Sequence, residues 1–393
     1  MITYSLLFLL SSVSASAATD LPCTEGSVRL LADFPGARAE DCRRTKNGFA
    51  IVIRPEAEPI NKSPWYAFDI VMDEQAEVAT TVTVNIRYIY GKHRYDPKRF
   101  DEETGWTLLP EKDVHVRDDG KFARFVFDVT EPRTRIAAQP LFDPADREAW
   151  TKDYAQRAGF DLTEAGKTPN DHSVWHMSSP AEKQDAPHLL IIGGQHPPEV
   201  PGTIAMRAFL DRLGEDDELT AAFRQQFHID IFPTLNPDGI AAGHWRFNSQ
   251  LVDMNRDWGP FEQVETRLVR DLMETRTESG GQPVLMIDFH ATFKGDILYT
   301  PTGEDGERYQ PFLNAWSEGI TSRMGGGPGF IVDPRSNPGL PTAKSWFTST
   351  YDAPGLTVEL ADKTNAVRAQ KLGRAAAEEL LHILPDYAAD ITK

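Results

Sequence analysis

From about residue 27 to residue 141 the apolar positions tend to alternate with polar ones. The stretches "FAIVIRP", "WYAFDIVM", "VATTVTVNIRYIY" and "FARFVFDV" are rich in Val, Ile, Thr, Phe and Tyr. A period of two turns one face of a strand toward a core and the other toward water. Turn-rich segments, "RPEAEPINKSP" and "RYDPKRFDEETG", separate these runs. The spacing predicts a small antiparallel β-sandwich of roughly 120 residues.

After Pro140 the pattern changes. "DPADREAWTKDYAQRAGF" reads as a helix starting at Asp143 or Pro144. Continuous apolar runs then alternate with helical stretches. "HLLIIGG", "FHIDIFPTL", "PVLMIDFH" and "PGLTVEL" read as strands; residues 200–213, "FEQVETRLVRDLMETR" and residues 366–384 read as helices. Apolar strands between helices predict an α/β unit, a mostly parallel or mixed sheet covered on both faces. Functional groups in such sheets sit at the carboxyl ends of strands. The expected organisation is a leader over 1–17, the sandwich over 18–138 and the α/β unit over 139–393.

The leader follows from "MITYSLLFLLSSVSASAATD", a short apolar run followed by small residues and Ala15-Ser16-Ala17. It resembles a secretory signal cut near Ala17 or Ala18, although its start lacks Lys or Arg; an N-terminal anchor or core helix is the other reading. With no further stretch apolar enough to span a membrane, the expectation is a soluble exported protein, periplasmic or secreted. The two cysteines, Cys23 and Cys42, would then meet an oxidising compartment and pair; free thiols are the alternative. Asn61-Lys62-Ser63 is a glycosylation triplet of the kind that arises often by chance.

Composition is ordinary for a globular chain of 393 residues, 40% hydrophobic and 25% charged. The formal net charge of −18 argues against nucleic acid or an anionic membrane surface as partner.

The chemistry gathers at predicted strand ends. His196 and Glu199 follow "HLLIIGG" in "GGQHPPEV", His290 ends "PVLMIDFH" and Glu359 ends "PGLTVEL". Pro197 and Pro198 fix φ and remove two donors, which predicts a stiff extended loop and not a smooth helix start. Two imidazoles and a carboxylate suit zinc with an open fourth position. The remaining carboxylate, Glu359, is then placed to take a proton from water. Between these lies "TLNPDGIAAGHWRFNSQLVDMNRDW", with Arg246 and Asn255-Arg256 in a Trp-bounded loop region. An arginine fork grips a carboxylate bidentately, and a second arginine can stabilise an oxyanion. No GxSxG elbow is present and both cysteines lie far upstream, which disfavours serine or cysteine hydrolysis.

"GGQHPPE", "NPDG", "HWRFNSQLVDMNRDW", "DFH" and "TVELADKT", in this order and spacing, resemble the zinc metallocarboxypeptidases of the M14 family. The resemblance covers roughly residues 145–385. The β-rich segment ahead of it, with "SPWYAFDI", is similar to the cytosolic-carboxypeptidase branch. The resemblance implies one zinc held by His196, Glu199 and His290, with Glu359 as general base and Arg246 stabilising the oxyanion. It further implies Asn255 and Arg256 on a substrate's terminal carboxylate, and Asp253 orienting His196. Lys344 falls at the base of the side-chain pocket, with Trp346 two residues on; a lysine there implies acidic terminal residues, and a surface lysine is the alternative. The implied partner is a peptide or protein C-terminus. No residue clearly matches the family's mobile tyrosine, and Tyr351 stands too close to Glu359. Residues 325–330, "GGGPGF", read as a cleft rim or a turn-rich connection. A zinc deacylase or amidase acting on N-acyl amino acids or cell-wall peptides is the competing function.

Overall fold

The computed structural model describes residues 23–57, 61–73, 79–302, 304–335 and 340–391. The leader expected over 1–17 lies outside them. Among the described residues no helix is long and apolar enough to cross a membrane.

Residues 23–137 form two facing sheets. One has six strands, in the order Cys23–Glu25, Val28–Leu31, Ala67–Met72, Arg133–Ala137, Lys98–Asp101, Gly105–Leu108. The other has five, in the order Glu40–Thr45, Gly48–Ile53, Thr80–Tyr88, Phe122–Val129, Val114–Arg117. Alternation places the side chains: Ala123, Phe125, Phe127 and Val129 point inward, whereas Arg124 and Asp128 point out. Phe49, Tyr66, Phe68 and Phe125 fill the space between the sheets. The pairing is antiparallel with one exception to the expected pattern. Gly48–Ile53 and Thr80–Tyr88 run parallel, because the chain crosses to the other sheet through Ala67–Met72 between them. Cys23 and Cys42 form a disulfide that joins an edge strand of one sheet to an edge strand of the other. Asn61 is buried and its Oδ1 accepts from the Glu56 amide, a poor position for a glycan.

The second unit holds an eight-stranded mixed sheet. Its order is Asp161–Lys167, Ser173–Ser179, His228–Phe232, Pro187–Gly193, Gln282–Thr292, Gly355–Ala361, Ile297–Thr300, Ile331–Pro334. The central strands are parallel, and the outer ones bring antiparallel pairs. Successive residues feed opposite cores. Leu189, Ile191, Leu285, Ile287 and Phe289 pack under Val200–Leu213, Glu304–Arg323 and Ala366–Ile391. Leu190, Ile192 and Met286 pack with Val269, Met273 and Phe347 of Val264–Glu278 and Ala343–Tyr351. Asp288 and His290 continue this second row, so their side chains emerge on that face.

Several elements carry no clear sequence pattern. "DLTEAGK" is half exposed, with Gly166 where the register shifts. Ala343–Tyr351 is helical although its Thr, Ser and aromatic residues are weak helix formers; Thr342 caps it by accepting from the Ser345 amide. Residues 325–330 join Glu304–Arg323 to Ile331–Pro334 and none of them lines the cleft described below.

The two units are locked by polar contacts. Gln139 donates to the Asp362 carbonyl, and Arg94 makes a bidentate pair with the Asp362 carboxylate at 2.6 and 3.1 Å. Glu56 accepts from the Trp245 amide, and the Trp245 indole donates to the Tyr95 hydroxyl. The sandwich therefore braces the loop that carries Arg246.

Candidate metal centre and cleft

The residues after Pro187–Gly193 form a turn and not the extended loop expected from Pro197-Pro198. Gly194 has φ +66°, which reverses the chain, and the Glu199 amide donates to the His196 carbonyl. Glu199 then stands at the N-cap of Val200–Leu213, with Pro201 in the first turn, where its missing donor costs nothing. The prolines thus shape a tight entry into a helix. That helix packs hard on the His290 strand: a Cβ at Gly202 would lie 2.3 Å from the His290 carbonyl oxygen. Glycine there lets the helix carry Glu199 up to His290.

His196, Glu199 and His290 offer one ligand atom each, all within 4.8 Å of one another. His196 Nδ1 lies 2.9 Å from Glu199 Oε1, and His290 Nδ1 lies 2.7 Å from Glu199 Oε2. Each outer ring nitrogen meets its own carboxylate: His196 Nε2 with Asp253 Oδ1 at 3.1 Å, His290 Nε2 with Asp288 Oδ2 at 2.7 Å. With a metal at the shared point, such pairs would hold the proton on Nε2 and leave the Nδ1 lone pair for the ion, as metal-binding histidines require. Gln195 donates to Asp288 Oδ2 at 2.7 Å and accepts from the Trp258 indole, which fixes the second carboxylate.

Glu359 is the register partner of His290 on the next strand. Its Oε2 is buried without a hydrogen-bond partner. Burial, then the charge of Glu199, pushes its carboxyl up to about 7. Burial opposes charge on Glu199 and Asp253 as well, yet their histidine partners prevail and hold both well below the usual carboxylate range. His290 is raised well above the ordinary imidazole value; burial works against this, and Asp288 and Glu199 outweigh it. The cluster thus separates two carboxylates committed to charge from one poised to exchange a proton.

A cleft of about 360 Å³ opens over the cluster. Arg246, Asn255, Arg256, Lys344 and Glu359 all line it with His196, Glu199 and His290. Asp253 lies behind, accepting from Arg246 Nε at 2.6 Å and from the Asn255 amide at 3.0 Å. Asn255 Oδ1 accepts from the Ala343 amide. Lys344 is buried, its ammonium donating to the carbonyls of Arg335 and Thr300, and burial lowers it to about 8. Tyr351 packs on Trp346 and Phe347 and lies outside the cleft.

Some lining residues escaped the sequence reading. Arg94, from the sandwich, reaches the cleft with its guanidinium 5.5 Å from the Phe293 and Trp245 ring centroids. Tyr299 enters from Ile297–Thr300, a strand with no motif around it. Asp288 stood two residues before His290 in "DFH", and the period of two on a strand would have found it.

Residues 148–260 match the zinc carboxypeptidase family model, peptidase M14. The chain is 24% identical over 238 residues to an uncharacterized protein of Zymomonas mobilis, covering 59% of this chain and 58% of that protein. It is 27% identical over 128 residues to cytosolic carboxypeptidase 6 of Mus musculus, covering 31% of this chain and 24% of that protein. The match thus spans less than two thirds of either relative. A metallo-carboxypeptidase from Burkholderia cenocepacia shares the fold with a TM-score of 0.76 at 16% identity, over 92% of this chain and all of that one. A metallo-carboxypeptidase from Pseudomonas aeruginosa does so with a TM-score of 0.73 at 19% identity, over 91% and 99%. The likeness in fold to these two structures covers both units.

Proposed function

We propose that this relative of the zinc carboxypeptidases hydrolyses the C-terminal peptide bond of peptides or proteins. The observation that carries the reading is the convergence of His196 Nδ1, His290 Nδ1 and the Glu199 carboxylate on one point, with an unpartnered Glu359 oxygen beside them. This donor set fits one zinc ion with room for a further ligand. Zinc held there would supply Lewis-acid polarisation of the scissile carbonyl and of a water.

The chain's own residues do the rest. Asp253 and Asp288 orient the two imidazoles. Arg256 and Asn255 bind the free carboxylate of the substrate, which restricts the cleft to chain ends. Glu359 takes a proton from the attacking water and returns it to the leaving amine. Arg246 stabilises the oxyanion as the carbonyl becomes tetrahedral. Lys344 sits where a side-chain pocket would end and favours an acidic terminal residue. The disulfide and the apolar start of the sequence support an exported protein, periplasmic or secreted, over a cytosolic one.

Zinc content by elemental analysis, together with chelator-sensitive release of a single C-terminal amino acid from a peptide, tests this reading. Bound zinc with release of an acyl group from N-acyl amino acids, and no action on peptides, would point instead to a deacylase.

A further inference from the structure

The outer face of the five-stranded sheet is charged opposite to the chain as a whole. The chain carries a formal net charge of −18. On this face a groove of about 880 Å³ is lined by Arg43, Arg54, Arg87, Arg117 and Arg124, with Asp41 as the one acid. Arg54 pairs with Asp41 at 2.5 Å. The other four arginines are exposed, and none has a carboxylate or other hydrogen-bond acceptor among the described residues. Elsewhere exposed arginines mostly lie against acids, as Arg157 does with Asp153, Arg308 with Asp352 and Arg374 with Glu215.

Strand register arranges the four in two rows. Arg43, Ala50, Asn85 and Arg124 are successive cross-strand neighbours, and so are Val52, Arg87, Phe122 and Arg117. With strands spaced about 4.8 Å apart, Arg43 and Arg124 stand about 14 Å apart and Arg87 and Arg117 about 10 Å. The Arg117 guanidinium lies 5.3 Å from the Phe122 ring centroid, which leaves a flat apolar strip between charges. Unpaired like charges across one sheet face repel one another and weaken the sheet. A ligand that neutralises them relieves that repulsion.

We propose that this groove binds an extended acidic polypeptide segment, its carboxylates on the arginine rows and its aliphatic stems on Val52 and Phe122. An arginine fork matches a carboxylate bidentately. A long nucleic acid would carry its charge beyond the groove onto the acidic remainder of the surface, whereas a short acidic segment confines it. Ile89, on the groove wall, is five residues from Arg94 in the cleft, so these two lining residues are at most about 18 Å apart. A polypeptide held in the groove can thus extend toward the cleft, but binding does not depend on the cleft's chemistry.

The test uses the full chain and a fluorescein-labelled ten-glutamate peptide with an amidated end, followed by anisotropy at about 50 and about 300 mM salt. The expected result is saturable binding at low salt that weakens at high salt and falls about tenfold or more in the double variant R87S/R124S. The control K371S, on a distant helix, keeps full binding. R43S/R117S is the second variant should the first fail to fold, judged by its melting curve. Absence of saturable binding, an equal loss in the control, or no loss in either folded double variant overturns the proposal. Tighter binding of a labelled ten-thymidine strand than of the glutamate peptide also overturns it and marks the groove as a nucleic-acid site.

Discussion

His290 and Glu359 are register partners on adjacent parallel strands, so their side chains leave the same face of the sheet side by side. One is a candidate ligand and the other carries the unpartnered oxygen. Backbone pairing fixes their separation, with no loop to adjust it. Replacing Glu359 by Gln keeps the shape and removes the base. We expect at least a 10³-fold fall in kcat, with zinc content unchanged. Elemental analysis and peptide kinetics on the same preparation check this; loss of zinc together with activity would mean that Glu359 is a ligand.

Arg246 reaches the cleft while its Nε is held by Asp253. Arg246→Ala should lower kcat by about 10²- to 10³-fold, the scale for one oxyanion donor. Normal turnover in that variant would remove Arg246 from the account.

In the proposed mechanism Asp253 and Asp288 act through the histidines they contact. Asp253→Asn and Asp288→Asn should each weaken zinc binding by roughly 10- to 100-fold in competition with a chelator. Unchanged affinity in both would make these carboxylates structural only.

If Lys344 ends the side-chain pocket as proposed, selectivity should depend on pH. Burial lowers its ammonium to about 8, so the charge is present below that pH and lost above it. The ratio of kcat/KM for a Glu end over a Leu end should fall between pH 7 and pH 9, and Lys344→Met should flatten it. A ratio that ignores both changes would refute the pocket assignment without touching the mechanism.

Glu265 supplies a stability test away from the cleft. Both its carboxylate oxygens are buried without partners, and burial, then Asp238 and Asp257, pushes it from 4.5 up to about 7. The folded state therefore holds this proton more tightly than the unfolded state. Below about pH 4.5 the group is neutral in both states and costs nothing. Stability is lost as pH rises from there through 7, by on the order of 3 kcal/mol at most. Glu265→Gln should be more stable than the parent at pH 8 and nearly equal to it at pH 4.5 in urea unfolding. An identical difference at both pH values would contradict this.

Much of the cleft was legible because its groups sit in short motifs at strand ends, where period-two burial gives a strong signal. The helix after Glu199 was legible too, but its entry was misjudged. Pro197 and Pro198 lie in the turn ahead of the N-cap Glu199, Pro201 falls in the first turn where its missing donor is not needed, and Gly194 supplies the reversal. Arg94 and Tyr299 were not legible. Each reaches the cleft through tertiary packing from a segment whose local sequence carries no metal or catalytic spacing. The parallel pair in the sandwich was hidden for the same reason, since local alternation does not say which sheet the intervening strand joins.

The most direct measurement is mass spectrometry of matched peptides with free and amidated C-termini, with and without a chelator. The account predicts loss of one residue from free ends only, abolished by the chelator and restored by zinc. Equal cleavage of amidated ends, or cleavage that survives zinc removal, would contradict it.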